Sequence, residues 1–102
     1  MAGMIAIKLT SPADAMRRVG TRARSVRLVQ NLTQEGLAAR AAVSLGSLKL
    51  FESTGKASFE TVTKIAFALG SETEIEELFP PQTITRIADV METAPRKRGR
   101  RK

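Results

Sequence analysis

Five times between residues 11 and 71 a Ser or Thr stands directly ahead of a stretch with helical apolar spacing: Ser11, Thr33, Ser44, Ser58 and Ser71. A hydroxyl at that place accepts from a free N–H of the first turn, so each residue marks a helix start. Glycines stand at 55 and 70, where two of those helices should stop, because Gly takes the left-handed backbone of a C-terminal cap without steric cost. This punctuation confines residues 11–79 to five short helices, an all-α arrangement.

The first start is the best formed. Ser11 caps, Pro12 suits the first helical position, and Asp14 lies near the positive end of the helix. Ala15, Val19, Ala23, Val26 and Val29 then recur at steps of three and four as one apolar stripe, with Arg17, Arg18, Arg22, Arg24 and Arg27 around it. Gly20 weakens this helix, which runs to Gln30 or Asn31. After Thr33 a second helix passes through Gln34, Glu35, Leu37, Ala38 and Ala41, and Ala42-Val43-Ser44 forms a tight turn. A third helix covers 45–53 with Leu48 and Phe51 inward, and Thr54-Gly55-Lys56-Ala57 is a loop. The fourth turns Phe59, Val62, Ile65, Ala66 and Leu69 inward. Ser71 caps a fifth over 72–79, and Pro80-Pro81 closes the domain.

Outside this unit lie a flexible N-terminal arm at 1–10, a weakly amphipathic extension at 82–92 and a tail at 93–102. The extension keeps Ile84, Ile87, Ala88 and Met91 at helical spacing, and fits the domain, a second subunit or a partner equally well. The tail carries Arg96, Lys97, Arg98, Arg100, Arg101 and Lys102 with nothing to bury, so disorder is expected.

Composition narrows the function classes. The chain has no Cys, His, Trp or Tyr, which leaves disulfides, the usual zinc ligands and the usual neutral-pH proton shuttle without residues. No nucleophile elbow or phosphate loop is present, so no catalytic residue, metal site or cofactor is expected, and an enzyme is disfavoured. No apolar run approaches the ~20 residues of a membrane span, and the start has no signal-peptide shape, so a cytoplasmic protein is expected. The net charge is +7 and is unevenly placed. Residues 1–33 hold six bases and one acid, 34–79 four bases and seven acids, and 95–102 six bases and no acid. Basic ends around an acidic centre suit a polyanion, because each phosphate contact releases counterions.

The informative run is Thr33-Gln34-Glu35-Gly36-Leu37-Ala38-Ala39-Arg40-Ala41-Ala42-Val43-Ser44-Leu45-Gly46-Ser47-Leu48-Lys49-Leu50-Phe51-Glu52. Two short helices joined by so few residues cross steeply, and only a small side chain such as Ala38 fits where they touch. With Leu48 and Phe51 buried, Ser44, Leu45, Gly46, Ser47, Lys49 and Leu50 fall at the start or on the outward side of the third helix, although Leu50 fits the core equally well. A helix that enters a major groove N-terminal end first offers those positions to base edges.

In the order Thr-Gln-Glu, Leu-Ala, Val-Ser, Phe-Glu and a Gly-Lys loop, residues 17–79 resemble the XRE family of regulators, which includes Cro and the lambda repressor. Within that family the chain looks most like HipB- and HigA-like antitoxins. The resemblance implies a five-helix lambda-repressor-like DNA-binding domain with its helix-turn-helix at 34–53. It implies that Ser44, Leu45, Gly46, Ser47 and Lys49 read bases and that Gln34, Thr54, Lys56 and Arg27 contact phosphate. Lys49 is the one charged reading position, and its ammonium suits guanine O6 and N7 or a phosphate. Three departures stand out. Ala42 occupies a turn position usually given to Gly, where positive φ costs about 1–2 kcal/mol, and Leu45 and Gly46 replace polar readers, which shifts weight to DNA shape and phosphate. In the tail, Arg98-Gly99-Arg100 resembles the centre of an AT-hook without its following Pro, suiting minor-groove insertion or general phosphate attraction.

The expectation is therefore a nucleoid-associated repressor that binds double-stranded DNA as a homodimer at an inverted-repeat operator. Ile75, Leu78, Phe79, Ile84, Ile87 and Met91 are the candidate dimer residues. The resemblance further implies an autoregulating antitoxin with a cognate toxin such as a HipA-like kinase. A free-standing phage or mobile-element regulator is the alternative, and a protein-interaction module with a basic tail is the rival from another class.

Overall fold

The computed structural model describes residues 10–82, and within them the chain is all-helical. The arm at residues 1–9, the extension residues Ile84, Ile87 and Met91, and the whole basic tail lie outside the described residues. The helices are α1 (Pro12–Val29), α2 (Gln34–Ala41), α3 (Leu45–Thr54), α4 (Phe59–Leu69) and α5 (Glu72–Glu76). None of them is long and apolar enough to cross a membrane.

Four of the five hydroxyls cap as their positions predict. Ser11 accepts from the Asp14 N–H, Thr33 from Gly36, Ser44 from Ser47 and Ser58 from Thr61. Ser71 does not: its backbone is not extended and its side chain makes no cap hydrogen bond. The fifth helix stops at Glu76, short of the expected 79, which leaves Leu78 and Phe79 beyond it instead of on its face. Three caps at helix ends are left-handed, Ala42 (φ 59°), Gly55 (φ 83°) and Gly70 (φ 81°).

The core consists of Leu37, Ala38 and Ala41 from α2, Leu48 and Phe51 from α3, and Ile65 and Leu69 from α4. Ala23, Val26, Leu32, Val43, Leu45, Val62 and Ala68 pack around it. Leu37, Leu48 and Ile65 are fully buried, and each such side chain contributes about 1.5–3 kcal/mol of hydrophobic stabilisation.

Helix α1 turns only part of its apolar stripe inward: Ala23 and Val26 pack on the core, and the rest of the stripe does not. Ala15 is exposed, Val19 is 39% exposed and Val29 is 81% exposed, whereas Gly20 and Arg27 are buried. Backbone proximity is the cause. A Cβ on Gly20 would overlap the Phe51 carbonyl oxygen and crowd Gly55, and one on Gly55 would overlap the Met16 carbonyl. The helices meet main chain to main chain, and such a contact leaves no apolar signature. Phe59 also departs from its expected inward place and is 60% exposed, since it opens α4 before the helix reaches the core.

Candidate nucleic-acid interface

The α2–α3 pair is held from both sides of a three-residue turn, Ala42 to Ser44. Ala42 donates its N–H to the α2 carbonyls of Ala38 and Ala39, and the Val43 N–H reaches Ala38 O at 3.0 Å. Ser44 then opens α3 by accepting from the Ser47 N–H at 3.0 Å, with its own hydroxyl 2.8 Å from that of Ser47. Leu48 and Phe51 anchor the far side of α3 in the core.

This anchoring sorts the expected reading residues. Ser44, Gly46 and Lys49 are exposed at the start and outer side of α3, and nothing lies within 4 Å of where a Gly46 Cβ would be. Leu45 and Ser47 are half-buried: Leu45 packs against the core and Ser47 shares a hydrogen bond with the cap. Leu50 is 49% exposed and belongs to the surface rather than the core.

The expected phosphate residues separate as well. Lys56 is exposed in the α3–α4 loop, its N–H bonded to the Thr54 hydroxyl at 3.0 Å. Thr54 also donates to Leu50 O at 2.7 Å, so its side chain builds the loop. Gln34 is half-buried at the start of α2 and donates from Nε2 to Glu52 Oε1 at 2.9 Å. Arg27 must be removed from the set. It is buried, and its Nε and Nη2 donate to Glu52 at 2.7 and 3.1 Å while Nη1 donates to Leu32 O at 2.8 Å. A guanidinium so enclosed and bonded has no open face for a phosphate.

Glu52 is the junction beneath this surface that sequence reasoning passed over. It joins α1 through Arg27 and the first residue of α2 through Gln34. A signal was present: Glu52 lies four residues after Leu48 and next to Phe51, so it shares the inward face of α3. An acid on such a face calls for buried donors to pair with it.

The other basic residues of α1 remain on the surface. Arg17, Arg18 and Arg22, with Asp14 and Thr21, surround a shallow hollow of about 430 Å³. Asp14 is held below the ordinary aspartate range chiefly by the Ser11 hydroxyl and N–H, with smaller help from Arg17 and Arg18 and some opposition from desolvation. Among the described residues no group of three or more His, Cys, Asp or Glu is placed to hold a metal ion. Of the expected dimer residues, Ile75 is half-buried, while Leu78 is 48% and Phe79 93% exposed.

No protein-family model matches this chain, and no curated protein matches it significantly.

Proposed function

We propose that this protein is a sequence-specific DNA-binding repressor whose α2–α3 pair is a helix-turn-helix of the lambda-repressor-like, XRE type. The observation that carries this reading is the division of α3: Leu48, Phe51 and Glu52 are buried, while Ser44, Gly46 and Lys49 are exposed towards its N-terminal end. A major groove admits a helix in that attitude, and the positive N-terminal end favours a nearby phosphate. Lys56 in the following loop and Gln34 at the start of α2 supply the flanking phosphate contacts. The tail, with six bases in its last seven residues, adds affinity that is independent of sequence.

In this reading the protein acts as a homodimer at the nucleoid, on half-sites about one helical turn apart. Its narrower form is an antitoxin that represses its own operon and binds a toxin such as a HipA-like kinase. A free-standing regulator of phage or mobile-element genes uses the same site.

Hydroxyl-radical footprinting on the DNA upstream of the protein's own gene tests the proposal. Two protected tracts about one turn apart are expected. Uniform protection along the fragment would contradict sequence reading.

A further inference from the structure

Between α2 and α4 runs a groove of about 450 Å³ lined by Arg40, Ala41, Thr63, Lys64, Phe67 and Ala68. Its composition is unusual for an idle surface. Arg40 has no ion-pair partner among the described residues, and Lys64 has only the exposed Glu60 one turn away on its own helix, at 3.2 Å. Phe67 is 52% exposed. The Thr63 hydroxyl is the one buried side-chain polar atom among the described residues without a hydrogen-bond partner. Two cations and a half-open ring suit an occupant that is both acidic and apolar.

The same chain carries such a segment. Glu72, Glu74, Glu76 and Glu77 are exposed, and none has an ion-pair partner among the described residues. Leu78 and Phe79 follow, and Phe79 stands 93% exposed with φ at 52°, a strained backbone for a bulky residue. Helix α5 packs on its own α4, yet its acids pair with neither Arg40 nor Lys64 there. The leftover charges of one copy therefore match those of another.

We infer that the groove between α2 and α4 receives the acidic 72–79 segment of a second copy of this chain, and that two such contacts made reciprocally close a dimer. Phe79 enters beside Phe67, and the acids of α5 face Arg40 and Lys64. A reciprocal contact of two different patches satisfies two-fold symmetry without leaving either unpaired. The inference specifies the dimer that the DNA-binding reading needs, but its test uses no DNA, so the two fail separately.

The test is sedimentation equilibrium of the full chain, with circular dichroism to show that each variant remains helical. R40E/K64E and E74K/E76K both alter exposed positions, and each should raise the dimer dissociation constant at least about tenfold by placing like charges in contact. Mixing the two variants in equal amounts should restore association, because attraction then returns at both contacts. F79S should weaken the dimer without loss of helix. Charge variants that dimerise as tightly as the parent would overturn the inference, and so would variants that lose association without recovering it on mixing.

Discussion

The Arg27 guanidinium and the Glu52 carboxylate form a two-bond ion pair, Nε to Oε2 at 2.7 Å and Nη2 to Oε1 at 3.1 Å, with side chains 7% and 2% exposed. It ties the end of α1 to α3, and through Gln34 it also fixes the start of α2. The elements that carry the proposed DNA contacts thus share one polar junction under the surface.

Removing one partner of this pair should be costly. Glu52→Leu or Arg27→Met alone leaves a buried charge or a set of unmet hydrogen bonds, and about 3–5 kcal/mol should be lost. The double variant should recover most of that loss, though not all, since Leu32 O and Gln34 keep no partner. Urea denaturation of the two single variants and the double reads the coupling. Single losses below about 1 kcal/mol would mean that the pair is not the junction described.

Gly20, Gly46 and Gly55 separate fold from function. Gly20→Ala and Gly55→Ala both drive a methyl group into backbone, at the Phe51 and Met16 carbonyls, and should destabilise by several kcal/mol, roughly in the manner of overpacking. Gly46→Ala meets open space and should instead stabilise by about 0.5–1 kcal/mol through helix propensity. If α3 lies against DNA, that more stable variant should bind its operator more weakly. Thermal melts and binding titrations on the three variants check both statements.

Ala42 offers a stabilising change. It holds a left-handed backbone at φ 59° and ψ 43°, which costs an Ala about 1–2 kcal/mol relative to Gly. After the greater entropy of an unfolded glycine is subtracted, Ala42→Gly should gain about 0.5–1 kcal/mol. A fall in melting temperature would show that the turn depends on the methyl group.

Asp14 sets a modest acid dependence at the start of α1. Its folded pKa lies below the ordinary 3.8, mainly through the Ser11 hydroxyl. A depressed carboxylate adds stability above its unfolded pKa and loses it as pH falls through the folded one. Ser11→Ala should shift the Asp14 titration upward, as followed by the carboxyl carbon resonance. An unchanged titration would remove Ser11 as the cause.

Much of this architecture was legible in the sequence because caps are local chemistry. Ser11, Thr33, Ser44 and Ser58 each satisfy an N–H three residues on, and Gly55 and Gly70 need no partner from afar to end a helix. What the sequence concealed is long-range. The Gly20–Phe51 approach depends on two backbones 31 residues apart, and it leaves Ala15, Val19 and Val29 of the apolar stripe exposed while Ala23 and Val26 pack inward. Arg27 read as a phosphate residue because its partner, Glu52, lies 25 residues on. At the proposed site, exposure of Ser44, Gly46 and Lys49 followed from burial of Leu48 and Phe51. The inward lean of Leu45 did not, since it depends on where the core packs.

Whether α3 reads sequence is decided by equilibrium binding to the upstream DNA against a scrambled copy. The full chain, a chain ending at Ala94 and a Lys49→Glu variant are titrated side by side at physiological salt. Both unmutated forms should prefer the upstream DNA by at least about a thousandfold, and Lys49→Glu should abolish the preference while the fold survives. Truncation should lower affinity for both DNAs and flatten the salt dependence by a few units of slope, about 0.9 per lost phosphate contact. Equal binding of both DNAs, lost entirely on truncation, would mean that the tail alone holds the DNA and that α3 does not read sequence.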